Sequence, residues 1–268
     1  MLYPHSLLWH YLWVGPNALR AVLAVLLWRR GYQRQFPAFF AYLVYGAIEQ
    51  FTLWTMDVLP ESWVSGPAWW RTFFVGVAIE DFTKLAVVWE LFAHLVRQRP
   101  SSMVKSAHGF IAGVGAALVV LALLAAAHTP VDPRTPILTF RAQVFEMEGY
   151  IVLSGLMLFL FVFAAYHRMT WGRRYLGIAL GLGIAWCELM AAWALGTSRV
   201  LGDRGFLLDF VGMGTYHACV LLWFYYLLSP IHASADPTSN GSSIEKETNA
   251  PVHGVRQRLE PARLIGRF

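Results

Sequence analysis

Long apolar runs, separated by short polar joins, repeat along most of this chain. A helix that crosses a bilayer needs about 20 mostly apolar residues to span a hydrocarbon core roughly 30 Å thick. On that measure the pattern predicts seven spanning helices. They cover Leu12–Trp28, Pro37–Met56, Trp70–Val96, Ser106–Ala127, Ile137–Tyr166, Tyr175–Leu195 and Gly205–Leu228. Proline and glycine punctuate the joins, as in "LPESWVSGP", "RQRPSS" and "HTPVDPRTP". The expected fold class is all-α: a polytopic membrane protein over residues 1–228, followed by a polar tail over 229–268. That tail, with its "SADPTSNGSSIEKETNAPVHG" stretch, is too polar to bury a core and is expected to be a disordered cytoplasmic segment. It is too short for a kinase or cyclase domain, so signalling would need a separate partner.

Composition strengthens the pattern. Hydrophobic residues make up 57% of the chain and charged residues 14%, against roughly 25% charged in a soluble domain. The net charge of +5 does not point to nucleic acid, because the basic residues sit in short joins rather than on one soluble face. Arg29, Arg30 and Arg34, then Arg97, Arg99 and Lys105, then Arg168, Arg173 and Arg174 fall in alternate joins. Asp57, Glu61, Asp132 and Asp203 fall in the others. Cytoplasmic loops carry the Lys/Arg excess, so the N-terminus is expected outside and the C-terminus inside. Trp54, Trp63, Trp69 and Trp193 would mark the outer interface. Trp28, Trp171, Trp223, Tyr225 and Tyr226 would mark the inner one. The first residues lack the basic start and cleavage site of a signal peptide. Cys187 and Cys219 lie in apolar runs and read as small buried residues.

The third run poses the chemical question. It contains Glu80, Asp81, Lys84 and Glu90 in "AIEDFTKLAVVWELF". Glu80 and Lys84 are an acid-to-base i,i+4 pair, and Asp81 and Lys84 an i,i+3 pair, so one lysine faces two acids. Glu90, with His94 and Arg97 on the following turns, reads as an inner-end ladder reaching for water. Five other runs also carry polar groups: Asn17 and Arg20; Glu49 and Gln50; Arg141, Glu146 and Glu148; Glu188; Asp209 and His217. The fourth run has none; its Gly109 and Gly113 suit close helix packing. Charges in hydrocarbon are costly, so they pair with one another or line a wet cavity. The candidate ligand- or ion-binding residues are therefore Glu49, Glu80, Asp81, Lys84, Glu146, Glu188, Asp209 and His217, around one outward-opening cavity suited to a cation, a proton or an amine. The competing reading makes the same charges interhelical glue, with Arg20, Lys84 and Arg141 answering the acids.

Glu49 precedes Trp54 by the same spacing as Glu188 precedes Trp193. That spacing fits a three-plus-one-plus-three repeat of the kind some transporters use, although two apolar helices share so short a match by chance. Phosphate-loop, zincin and nucleophile-elbow motifs do not occur in the sequence, so no cofactor is named. Three functions fit: a sensor or receptor, a proton- or cation-coupled transporter, and a membrane-embedded metal-dependent hydrolase. "RRGYQRQFPAFFAYLVY" and "VVWELFAHLVR" resemble segments of a group of uncharacterised bacterial seven-helix membrane proteins. The resemblance covers the first three helices and implies the fold and a bacterial cytoplasmic membrane. It implies no activity.

Overall fold

The structure, a computed structural model, describes residues 6–60, 62–97, 101–128, 137–197 and 206–229. Among these are seven α-helices and no strand: α1 Leu7–Arg29, α2 Pro37–Val58, α3 Gly66–Val96, α4 Ser101–Ala127, α5 Ile137–Tyr166, α6 Arg173–Thr197 and α7 Phe206–Leu228. A short 3-10 turn, Tyr32–Arg34, joins α1 to α2. Glu61, Arg99, Asp132, Asp203 and the expected tail beyond residue 229 lie outside the described residues.

Local chemistry explains the boundaries. The α1 helix begins five residues before the apolar run does, because the Ser6 hydroxyl accepts a hydrogen bond from the Trp9 N–H at 3.3 Å. Pro16 lies inside it and gives the Leu12 carbonyl no N–H. The Asn17 amide nitrogen donates to the Trp13 carbonyl at 2.7 Å across the same turn. Pro37 opens α2, where its missing N–H would have been unpaired anyway. Arg173 and Arg174 belong to the first turn of α6 rather than to a loop.

Five helices, α1, α4, α5, α6 and α7, are long and apolar enough to cross a membrane. Their outward faces match that solvent: Val119, Val120, Leu121, Leu123 and Leu124 on α4 are all exposed. The chain is thus a helical, multi-pass membrane protein. The α2 and α3 helices do not meet that measure, and α3 alone holds Arg71, Glu80, Asp81, Lys84 and Glu90.

Helix packing forms a closed cycle. Each neighbour in the order α1, α2, α3, α5, α6, α7 packs against the next, and α7 closes against α1. The α4 helix stands outside this ring, packed along α5 with only slight contact to α3. The helix without intramembrane charge is therefore the one excluded from the ring.

The ring has two unlike halves. At one half, the ends of α1, α3, α5 and α7 meet the starts of α2 and α6 in a continuous core. Leu23, Leu27, Phe39, Leu91, Leu95, Leu160, Leu182 and Trp223 are buried there. Trp223 is fully buried, edge-on to Phe39 at 5.3 Å and close to Tyr42 and Tyr216. It is a core residue and not the interfacial anchor expected from its place in the run. Polar clasps hold this end: Arg30 donates to the Leu228 carbonyl at 3.3 Å, and Arg174 to the Tyr32 hydroxyl at 2.7 Å. His94 stacks on Tyr175, with ring centroids 3.4 Å apart.

Glu90 corrects a second expectation. It does not reach for water. Its Oε2 accepts the N–H groups of Ala38 at 2.6 Å and Phe39 at 3.3 Å. The α2 N-terminus has no cap of its own, since Phe36 offers no side-chain hydrogen bond. A neighbouring carboxylate supplies the missing acceptor at the positive end of the helix. Cys219 is buried as expected, but Cys187 is exposed on the outer face of α6.

Candidate functional site

The other half of the ring encloses a cavity of about 200 Å³, partly open, to which all six ring helices contribute. The α1 helix supplies Trp13, Asn17 and Arg20. The α2 helix supplies Tyr42, Glu49 and Gln50, and α3 supplies Phe73, Glu80 and Lys84. From the second half of the chain come Glu146 and Tyr150 on α5, Trp186 and Glu188 on α6, and Met213 and Tyr216 on α7.

A charge cluster forms one wall. Lys84 Nζ lies 3.0 Å from Glu80 Oε2 and 3.0 Å from Asp81 Oδ1, the two intrahelical pairs that the spacing predicts. Arg20 crosses from α1 to Glu80 at 3.4 Å and donates to the Tyr42 carbonyl at 2.5 Å. Its guanidinium also lies 4.1 Å from the centroid of the Tyr42 ring. Two cations and two anions thus close on themselves. Gly46 makes the reach possible, because a Cβ there would collide with the Arg20 guanidinium. Gly76 leaves room in the same way for the Glu49 carboxyl.

The remaining cavity acids have no such answer. Glu49 is only 7% exposed and its Oε2 has no hydrogen-bond partner. Glu146 accepts a short hydrogen bond from the Tyr150 hydroxyl one turn on. Glu188 faces the cavity near Gly212. Among the described residues, none of these three lies within 4 Å of a lysine or arginine nitrogen of an ion pair. Asn17, 6% exposed, directs an unpartnered Oδ1 into the same buried space. Trp13 is oriented by its Nε1, which donates to Gln50 Oε1 at 3.0 Å.

The structure therefore brings together Glu49, Glu80, Lys84, Glu146 and Glu188 and leaves three candidates outside. Asp81 turns to a separate recess of about 190 Å³ between α3, α4 and α5, together with Glu148 and Phe82. Asp209 is exposed, away from the cavity lining. His217 packs near the ring of Tyr11, at 6.1 Å, and also does not line the cavity. Arg141 is exposed and takes no part in the cluster. Asn17, Tyr150 and Trp186 are cavity residues that the candidate set omitted. Tyr150, one helical turn after Glu146, and Asn17, a polar group inside an apolar run, each had a local signal. Trp186 becomes a site residue through helix placement alone.

The fold and the cavity define the class: a polytopic helical membrane protein with an internal polar chamber. No protein-family model, curated protein or solved structure matches the chain.

Proposed function

We propose that this chain is a seven-helix integral membrane protein of the cell (cytoplasmic) membrane, N-terminus outside and C-terminus inside. It binds a small ligand or cation in the six-helix cavity and passes the event to a separate cytoplasmic partner, as a sensor or receptor does. One observation carries the reading: the ring is hollow and acid-lined at one half, and tightly packed at the other. A chamber that closes against a solid core favours binding over passage. Arg29, Arg30, Arg97, Arg173 and Arg174 belong to the helix ends at the packed half, which supports placing that half in the cytoplasm.

A transporter is the second reading, and a specific observation favours it. The packing cycle is unchanged when α1, α2 and α3 are exchanged for α5, α6 and α7. Glu49 and Glu188 then become equivalents, each nine residues before the last residue of its helix, and both line the cavity. Parallel repeats of this kind bind substrate at the repeat interface. Nothing in the geometry favours a hydrolase: among the described residues no three His, Cys, Asp or Glu side chains converge as metal ligands.

Reconstitution decides between the two. A receptor binds ligand in sealed proteoliposomes without moving it across. A flux that Glu49→Gln abolishes, in a protein that still elutes as a folded species, assigns transport instead.

A further inference from the structure

We propose that the cavity takes a small organic ammonium ion, with the Glu49 carboxylate as its counter-ion. The proposal rests on the chamber being a ligand site, and it names the ligand class.

Charge balance comes first. Arg20 is committed to Glu80, and Lys84 to Glu80 and Asp81. That leaves Glu49, Glu146 and Glu188 around one chamber with no cation of the chain paired to them among the described residues. Carboxylates in a low-dielectric interior need a partner or a proton. An anionic ligand would add to the imbalance, and a neutral one would leave it in place.

Hydrogen-bonding capacity points the same way. Among cavity-lining side chains at least nine-tenths buried, Arg20 Nε is an unpartnered donor within a guanidinium already paired with Glu80, while Glu49 Oε2 and Asn17 Oδ1 are a pair of unpartnered acceptors. An alkylammonium group carries only donors and a positive charge, which is the complement of that pair. The walls then favour a cation with carbon attached. Trp13, Phe73, Trp186 and Tyr216 line the chamber, and aromatic faces attract ammonium groups. The chain already uses this attraction internally. Arg20 lies over Tyr42, and Lys84 Nζ lies 5.8 Å from the centroid of the Tyr150 ring.

Volume sets the size. An apolar cavity of about 150 Å³ admits benzene, so a chamber of about 200 Å³ holds a ligand of roughly six to ten heavy atoms. A bare alkali ion would leave most of that space and all of the aromatic wall unused.

The test uses the full chain in detergent or nanodiscs and two isosteric probes, benzylammonium and benzyl alcohol. Met213 lines the chamber, so Met213→Cys in a Cys187→Ala background reports access to a water-soluble thiosulfonate reagent. Benzylammonium is expected to protect that cysteine and to perturb tryptophan fluorescence, while benzyl alcohol at equal concentration does neither. Glu49→Gln is expected to weaken benzylammonium binding by about 30-fold or more, the usual scale for removing one member of a buried charge pair. Asn17→Leu gives a second, smaller loss through the lost acceptor. Equal protection by the alcohol, or an unchanged affinity in folded Glu49→Gln, overturns the ammonium assignment and leaves the chamber as a ligand site. Failure of the reagent to reach Met213→Cys in a monodisperse protein overturns the chamber itself.

Discussion

The two halves of the helix ring are built from the same six helices and obey different rules. In the packed half, large side chains fill the interior: Leu91, Leu95, Phe39 and Trp223 are buried to within 1% of full exclusion, although the Trp223 Nε1–H has no hydrogen-bond partner. Even its one deep carboxylate, Glu90, is satisfied by two backbone N–H groups. In the hollow half, a charged wall closes on itself through Arg20, Glu80, Asp81 and Lys84, while Glu49 and Asn17 keep unpartnered oxygens. The two halves thus separate buried polar groups that hold helices together from those that border the chamber without a partner. A satisfied group reports on structure. A buried group left without a partner is costly, and where it borders a chamber, as Glu49 and Asn17 do, there is room for a ligand to answer it.

Substitutions can break this contrast, beginning with the packed half. Trp223→Ala should cost about 3–5 kcal/mol, because it removes one of the two largest fully buried side chains and leaves a void. Thermal or denaturant unfolding in detergent measures it, and a loss under about 1 kcal/mol would show that this half is not the rigid base. Lys84→Met should cost a similar amount, about 3–5 kcal/mol, since it leaves Asp81 with no cation and Glu80 with Arg20 alone. If Lys84→Met instead folds normally and only ligand binding is lost, the cluster belongs to the site and not to the scaffold.

Smaller effects sharpen the contrast. Glu90→Gln should cost about 1–2 kcal/mol, the scale of a lost helix cap, with the start of α2 losing amide-exchange protection first. Glu49→Gln should change stability by less than about 0.5 kcal/mol, or raise it, because no interaction of Oε2 is lost. A stability loss there as large as that of Lys84→Met would mean that Glu49 has a structural partner. The pair Glu90→Gln and Glu49→Gln is the informative one: the same chemical change, in adjacent helices, with opposite expected consequences for folding and for binding.

Much of this was legible in the chain. The apolar periodicity located all seven helices, with boundaries displaced by a few residues where Ser6 or the arginines of α6 extend them. The intrahelical pairs of Lys84 were readable because i,i+3 and i,i+4 neighbours meet on any helix. The absence of charge in the fourth run also carried information, since α4 proved to be the helix outside the ring. Expectations failed where a side chain's partner lies on another helix. Glu90 seemed bound for water because the N–H groups it serves are fifty residues away in sequence. Trp223 seemed interfacial because depth was counted along one helix, without knowledge of which face meets the ring interior.

Hydropathy and helical spacing are properties of a single segment, so the solvent, the helices and the charges each must accommodate could be read along the chain. Which of those charges are answered depends on how the helices pack. Rotation of each helix about its axis sends Glu80 to Arg20, Asp81 to an outer recess, and Glu49, Glu146 and Glu188 to a common chamber. That rotation is set by how the faces of six helices fit together, a constraint that no one helix contains.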